Sequence, residues 1–170
     1  VQNMHIISKV YFPRLVVPIA SAISGLVDLA AAFVVFFGAM VIYRLPLRVE
    51  MLWLPVFVVV ALIFALAVGL WLATFSVRYR DMSFAVNFLV QAFMYASPVI
   101  YPISLVPASV QWLYRLNPMA GVIQGFRWAL LGSEAAPGPE FLAAMGISVV
   151  LLVTGAYVFR RTERTVVDIL

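Results

Sequence analysis

Four long apolar runs constrain the fold of this chain more than any other feature of its sequence. They cover residues 15–43, 52–75, 84–101 and 141–159. A bilayer core of roughly 30 Å needs about 20 apolar residues in a helix, so the first two runs are long enough to cross it and the last two lie near the lower limit. The chain is 65% hydrophobic and only 11% charged, whereas roughly 25% of residues are charged in soluble domains. The runs therefore predict an all-α membrane protein with four transmembrane helices.

The third run breaks off where a membrane helix should continue. It ends in Ser97-Pro-Val-Ile-Tyr-Pro102, with prolines at both Pro98 and Pro102. Broken backbone is tolerated at membrane depth only where protein or a water-filled cavity covers it. The break therefore predicts that a pathway lies nearby.

Two short amphipathic pieces follow the break. Residues 107–116 and 118–131 would form helices of roughly 15 and 21 Å at about 1.5 Å per residue, and neither is long enough to cross. Asn117 is a good N-cap, Pro118 suits the first helical position and Gly132 is a typical C-terminal stop. On the first piece, Val110, Leu113 and Leu116 are expected to face inward. On the second piece, the apolar face consists of Met119, Ile123, Phe126 and Leu130.

Lysine and arginine are unevenly distributed between the connections, and the side that holds more of them is expected in the cytoplasm. One side receives Lys9, Arg14, Arg78, Arg80, Arg160, Arg161 and Arg164, and the other receives Arg44, Arg48, Arg115 and Arg127. Both ends of the chain and residues 77–83 are therefore expected in the cytoplasm. Residues 44–50 and 102–140 are expected on the outer side.

The sequence gives little support for catalysis or metal binding. It has no cysteine, and its single histidine, His5, is best explained as a solvated bystander near the N-terminus. None of the common phosphate-loop, zinc-protease or nucleophile motifs is present. The net charge of +4 does not indicate nucleic acid, because the basic residues lie at the ends of apolar runs. We therefore expect no catalytic residue, no metal site, no cofactor held by this chain and no nucleic-acid partner.

One face of the third run combines aromatic rings with amides. The residues on this side, at 100° per residue, are Phe84, Asn87, Phe88, Gln91 and Tyr95, with Pro98 beside them. Rings stack on the C–H faces of sugars and amides exchange hydrogen bonds with hydroxyls, so this face suits a hydroxyl-rich chain. The alternative is that the two amides bond to a neighbouring helix.

Two further features of the runs leave alternatives open. Asp28 is the only acidic residue inside an apolar run, and an ionised carboxylate near mid-membrane costs a few kcal/mol. Asp28 could be a polar point on a transport path or at a helix–helix contact. Alternatively, it is a protonated carboxyl bonded to Ser24. The small residues of the second run would let another helix approach closely, unless they reflect chance in an alanine-rich run. These residues are Ala61, Ala65, Gly69 and Ala73.

Two motifs lie on the predicted cytoplasmic side. Arg78-Tyr-Arg-Asp81 forms a tight turn, and a positive-inside anchor is an adequate explanation of its charges. Tyr11-Phe12-Pro13-Arg14 places aromatic rings beside the membrane entry. The second motif either anchors at the lipid interface or docks on a cytoplasmic protein.

Six motifs occur in the order found in a known family. They are Lys9-Val-Tyr-Phe-Pro-Arg14, Leu26-Val-Asp28, Arg78-Tyr-Arg-Asp81, Ser97-Pro-Val-Ile-Tyr101, Leu116-Asn-Pro118 and Phe159-Arg-Arg-Thr-Glu-Arg164. Together they cover nearly the whole chain. The sequence resembles the permease subunits of ABC-2 type exporters of bacterial polysaccharides, such as O-antigen, capsule and teichoic acid.

The resemblance implies that residues 1–170 form one ABC-2 type transmembrane domain of a multi-pass bacterial inner-membrane protein. Residues 1–14 would couple to a separate ABC ATPase subunit that binds ATP and Mg²⁺. Residues 102–132 would hold two re-entrant outer gate helices, and residues 160–170 would be a cytoplasmic tail. Such permeases have six spans, so the four here would be spans three to six, and we expect an N-terminal truncation. The channel would form between two copies in membrane lipid and carry a lipid-linked glycan.

The residue patterns and the resemblance together predict three groups of site residues. The substrate channel would use Phe84, Asn87, Phe88, Gln91, Tyr95 and Asp28. The outer gate would use Ser97, Pro98, Tyr101, Asn117 and Pro118. The ATPase coupling would use Tyr11, Phe12, Pro13, Arg14, Arg78, Arg80 and Asp81.

Three rival functions remain open at this level. One is an ABC-2 type exporter of a drug or small lipid. Another is a membrane enzyme acting on lipid-linked sugars, which would need acid/base pairs, whereas Asp28 stands alone in the apolar runs. The third is a membrane scaffold, which would not need a broken helix beside a polar face.

Overall fold

The computed structural model describes residues 16–78, 82–99, 101, 105–133 and 135–167. Over these residues the chain is helical and contains no strand. The elements are α1 (Val16–Ile42), a 3₁₀ turn (Val49–Trp53), α2 (Leu54–Arg78), α3 (Met82–Ala96), α4 (Ala108–Leu116), α5 (Pro118–Leu131) and α6 (Pro139–Val167).

Three stretches of the described chain are long and apolar enough to cross a membrane. They are Ile19–Ile42, Val49–Ser76 and Phe141–Thr162, and a shorter apolar helix covers Ala85–Ala96. The predicted all-α membrane fold is confirmed. The chain divides into two compact units, Val1–Pro46 and Leu47–Leu170.

In the first unit, α1 ends in a hydrogen-bonded cap. The Leu45 N–H donates to the Met40 carbonyl at 3.0 Å and the Arg44 N–H to the Val41 carbonyl at 3.2 Å. This pair of bonds is the Schellman motif, which places the residue after the helix in a left-handed conformation. That residue is Arg44, with φ 54°, where glycine would avoid a cost of roughly 1–2 kcal/mol. Pro46 follows and prevents the helix from continuing.

In the second unit, α6 packs along α2. The buried side chains of α2 recur at steps of three and four residues: Phe57, Val60, Phe64, Ala67, Leu70 and Thr74. The buried positions of α6 include the small residues Ala144, Ser148 and Gly155. The hydroxyls of Thr74 and Ser148 each donate to a carbonyl four residues earlier, at 2.8 and 2.9 Å. Both hydroxyls can therefore be buried at this interface without losing a hydrogen bond.

Gly155 allows a close approach between α2 and α6. A Cβ at this position would lie 3.0 Å from Cδ1 of Trp71, and the Trp71 indole N–H donates to the Leu151 carbonyl at 3.2 Å. The small-residue stripe predicted on α2 is not the face that packs against α6. Its member Ala65 is exposed, and Ala61, Gly69 and Ala73 are only half-buried.

α3 ends at Ala96, earlier than the predicted end of the third run at residue 101. Pro98 lacks the N–H that would continue the helix, and its ring disfavours helical backbone at the preceding Ser97. The 15 residues of α3 reach roughly 22 Å at about 1.5 Å per residue, which is short of a bilayer core of roughly 30 Å. The Phe93 ring contacts the Phe64 ring of α2, with centroids 6.4 Å apart.

The end residues of α5 are as predicted, whereas α4 begins at Ala108, one residue late. The predicted inward face of α4 is wrong, because Val110 and Leu116 are 41% and 47% exposed; the side chain of Leu113 lies outside the described part. On α5 the predicted apolar residues are half-buried, and smaller residues occupy the fully buried positions. These are Pro118, Ala120, Val122, Gly125 and Ala129.

α5 turns small residues toward the core because it lies very close to α2. The Phe57 ring rests against Gly125, where an added Cβ would come within 3.0 Å of three ring atoms. Phe57 is 1% exposed. Its ring also contacts those of Phe126 and Phe141, with centroids 5.8 and 5.3 Å away. Phe57 therefore fixes the position of α5 against α2 and α6.

Arg48 attaches the 3₁₀ turn to the far end of α5. Its guanidinium donates twice to the Glu50 carboxylate, at 3.0 and 3.3 Å. The same group covers Gly132, which ends α5 with φ 62° and where any Cβ would overlap the guanidinium. A cation at a helix C-terminus contributes roughly 0.3–1 kcal/mol.

We predict that Gly125→Ala destabilises the protein and that Gly146→Ala does not. The methyl at residue 125 would press on the Phe57 ring, which two other rings hold in place, and overpacking of this kind costs roughly 1–3 kcal/mol. At Gly146 no atom lies within 4 Å of an added Cβ, so alanine should be neutral or stabilising by up to about 1 kcal/mol through helix propensity. The melting temperatures of the two variants in detergent measure these changes in stability. Equal melting temperatures for the two variants would contradict the Phe57 contact.

Candidate functional site at the end of α3

The end of α3 leaves backbone carbonyls without their usual helical partners. The Ser97 N–H still donates to the Phe93 carbonyl at 2.9 Å, but the Val99 N–H turns back to the Ser97 carbonyl at 2.7 Å. Pro98 has no N–H to offer. Within the described residues, no backbone N–H donates to the carbonyls of Tyr95 and Ala96. We call residues 97–101 the break segment; its fourth residue, at position 100, lies outside the described residues.

Asn117 uses both ends of its amide to join α3 and α5. Its Oδ1 accepts from the Met119 N–H at 3.0 Å, which caps α5. Its Nδ2 donates to the Ala96 carbonyl at 3.1 Å and to Ser97 Oγ at 3.2 Å. Aspartate and serine also cap helices well, but neither carries an N–H group for the Ala96 carbonyl. The amide therefore caps the start of α5 and the end of α3 at the same time.

Tyr101 closes the break segment onto α3. Its phenol oxygen lies 2.6 Å from the Tyr95 carbonyl oxygen and 3.0 Å from the Tyr114 phenol oxygen. A phenol has one proton and a carbonyl only accepts, so Tyr101 donates to Tyr95 and accepts from Tyr114. The two rings meet edge to face, with centroids 6.4 Å apart. Residues of α3, the break segment and α4 are linked in one chain of hydrogen bonds.

Arg127 is the part of this cluster that the sequence did not single out. From α5, its Nη2 donates to the Val99 carbonyl at 3.0 Å and its Nη1 to the Tyr101 carbonyl at 3.3 Å. From the sequence, Arg127 is only one of four basic residues expected on the outer side. No local motif marks it, because its partners lie 28 and 26 residues away.

The five predicted gate residues lie together at this junction. Ser97 and Pro98 are buried, Tyr101 and Asn117 make the bonds above, and Pro118 is buried at the first position of α5. Their role in a gate stays a prediction. The geometry shows that they satisfy the backbone of a helix that ends early.

The predicted channel face of α3 points away from the rest of its own unit. At 100° per residue, Asn87 and Gln91 lie opposite Leu89, on the side away from the Phe93 contact. Both amides are exposed, and neither has a hydrogen-bond partner among the described residues. Phe88 and Tyr95 are 72% and 63% exposed. The side chain of Phe84 lies outside the described part of the chain.

The remaining predicted site residues lie elsewhere. Asp28 is exposed on α1, and within the described residues its carboxylate has neither a hydrogen-bond nor an ion-pair partner, so no bond to Ser24 is present. The coupling residues 11–14, 80 and 81 lie outside the described residues. Arg78 is the last residue of α2, and its side chain is not described.

The site falls within a region shared with a known family. A model of the ABC-2 type transporter family matches residues 4–131, which run through α1 to the last residue of α5. The chain belongs to the ABC-2 type transporter family. The described residues contain no group of three or more His, Asp or Glu side chains that would suit a metal ion.

Several relatives of this ABC-2 chain are transport permeases. The O-antigen export system permease protein RfbA of Klebsiella pneumoniae is 22% identical over 172 aligned positions, which cover 100% of this chain and 66% of that protein. The protein of the same name from Myxococcus xanthus is 29% identical over 167 positions, covering 93% and 62%. The inner membrane transport permease YadH of Escherichia coli K12 is 31% identical over 144 positions, covering 81% and 54%. The chain thus spans 54–66% of the length of these relatives.

We predict that Asn117→Asp destabilises the junction even though aspartate is as good an N-cap as asparagine. A carboxylate oxygen would face the Ala96 carbonyl where Nδ2 now donates, and the loss of a typical hydrogen bond costs roughly 0.5–1.5 kcal/mol. Asn117→Ala removes the cap and the donor together. Thermal unfolding of both variants should place the aspartate variant no higher in stability than the alanine variant. An aspartate variant as stable as the natural protein would mean that capping α5 is the whole role of Asn117.

Proposed function

We propose that this chain is the membrane permease of an ATP-driven ABC exporter that carries a lipid-linked polysaccharide across the bacterial inner membrane. The observation that carries the proposal is the exposed aromatic and amide face of α3, which ends at a broken and side-chain-capped backbone. The relatives from Klebsiella pneumoniae and Myxococcus xanthus are named O-antigen export permeases. Those names support a polysaccharide as the cargo.

The chemistry of the α3 face suits a hydroxyl-rich substrate. Asn87 and Gln91 each offer amide donors and an acceptor, which exchange hydrogen bonds with sugar hydroxyls. The Phe88 and Tyr95 rings beside them offer apolar surfaces for the C–H faces of sugars. An amide without a partner is costly in hydrocarbon, so a face with two exposed amides favours contact with water or substrate over contact with lipid.

The channel would form between two copies of the permease. The α3 face points away from its own unit, so a second copy opposite it would enclose the path from the other side. Asp28 would be a further polar point, either on the path or at a helix contact. The alternative is that Asn87 and Gln91 bond to a neighbouring helix.

Energy would come from a separate ATPase subunit that binds ATP and Mg²⁺. Membership of the ABC-2 family supports such a partner. Contact with it would involve Tyr11, Phe12, Pro13 and Arg14 at the start of the chain. Arg78, Arg80 and Asp81, between α2 and α3, would complete the coupling surface.

The proposed orientation places the C-terminus in the cytoplasm and the break segment on the outer side. The connections placed in the cytoplasm contain seven lysines and arginines, and those placed outside contain four. This difference supports the orientation. In this orientation α4 and α5 would be the outer gate helices. Motion driven at the cytoplasmic contacts would open a path that these helices otherwise close.

We predict that Gln91→Leu combined with Tyr95→Ala lowers glycan export and leaves membrane insertion intact. The change removes one amide and one ring from the face but keeps α3 apolar, so insertion has no reason to fail. Surface glycan is measured in cells, alongside the amount of permease in the membrane. The matched control is Val90→Leu, on an exposed apolar side of the same helix, which should export normally.

Unchanged surface glycan in the double variant would overturn the channel assignment. ATPase activity that is stimulated by a drug or small lipid, and not by the glycan, would favour the rival exporter. The Escherichia coli relative is named as a transport permease without a substrate, so similarity to it favours neither exporter. The ATPase measurement separates a glycan exporter from an exporter of a drug or small lipid.

A further inference from the structure

Four carbonyls around the break segment receive their hydrogen bonds from side chains. Tyr101 donates to the Tyr95 carbonyl and Asn117 to the Ala96 carbonyl. Arg127 donates to the carbonyls of Val99 and Tyr101. Two of these three donors, Asn117 and Arg127, belong to α5 or its cap.

The two contacts from α5 lie at separate points along the helix. Asn117 and Arg127 are ten residues apart, which is about 15 Å along the axis at about 1.5 Å per residue. Asn117 holds the end of α3 at Ala96 and Ser97, and Arg127 holds the break segment at Val99 and Tyr101. The break segment therefore runs beside α5 and is attached to it twice.

We propose that Arg127 is a positioning residue that makes the break segment and α5 move as one body. This proposal rests on the proposed export function only in calling that body the outer gate. Rotation of α5 about its own axis, or a slide past α3, would break the contacts of Arg127 and Asn117 together. Motion of α5 that keeps these contacts would therefore carry the break segment with it.

The geometry depends on the guanidinium and not on its charge alone. Arginine presents its donors in a flat, rigid fork, whereas lysine offers a single ammonium on a flexible stem. Here two nitrogens of the fork reach carbonyls two residues apart in sequence. Arg127→Lys therefore keeps the positive charge but cannot bridge both carbonyls in the same way.

The experiment is hydrogen–deuterium exchange on the full-length permease in complex with its ATPase. In Arg127→Gln, exchange in peptides covering residues 97–101 should rise about tenfold, the change in open population expected when a hydrogen bond to a charged group is lost. Arg127→Lys should give a smaller rise in the same peptides. Exchange in residues 144–155 of α6, the helix that packs along α2, should not change.

Arg48→Gln is the matched control. It removes another half-buried arginine of the same unit, and one that contacts the end of α5 at Gly132. Exchange should rise in residues 49–53 but not in residues 97–101. A general loss of stability would raise exchange in α6 as well, which separates a positioning role from a purely structural one.

Unchanged exchange at residues 97–101 in Arg127→Gln, or an equal rise in α6, would overturn the proposal. Rescue to the natural exchange rate by Arg127→Lys would also overturn it, since charge alone would then suffice. Exchange does not require a substrate, so it is read independently of export. A local rise at residues 97–101 with normal glycan export would support the attachment and count against its role in the export gate.

Discussion

Backbone carbonyls at the end of α3 must find donors, and the arrangement of the second unit follows from how they do. In hydrocarbon an unsatisfied carbonyl costs several kcal/mol. Because α3 ends at Ala96, the carbonyls of Tyr95 and Ala96 take donors from Tyr101 and Asn117, and Arg127 donates to Val99 beyond them. Two of them sit on α5 or its cap, and α3 can therefore end early only where α5 lies beside it. Phe57, seated against Gly125, holds α5 in that place.

The same arrangement leaves one side of α3 uncovered by its own unit. Phe93 joins α3 to α2 on one side, and the break segment joins it to α4 and α5 at its end. Asn87 and Gln91 then point away from all of these contacts. In the proposed function, this polar face on a short helix, beside a capped break, would line the transport path.

Local chemistry explains which features the sequence predicted well. Asn117, Pro118 and Gly132 define α5 because caps and helix stops act over a few residues, and the structure has the helix at the predicted bounds. The two prolines predicted a break at the end of the third run, and α3 ends at Ala96 because Pro98 cannot continue a helix. On α4, Val110 and Leu116 are exposed although their apolar spacing predicts an inward face. On α5, close approach to Phe57 requires glycine at residue 125. Arg127 was missed because its partners are distant in sequence.

In the proposed function, the Asn87 and Gln91 side of α3 faces water or substrate and not lipid. The 170 residues contain no cysteine, so a cysteine introduced here is compared with the unsubstituted permease as its background. The direct measurement is the reaction of Gln91→Cys and Val90→Cys with a small charged thiol reagent, in native membranes and with the ATPase present. Such reagents attack the thiolate, which forms in water and not in hydrocarbon. We expect a fast reaction at residue 91 and a slow reaction at residue 90. A slow reaction at both residues would contradict a water-facing or substrate-facing side of α3.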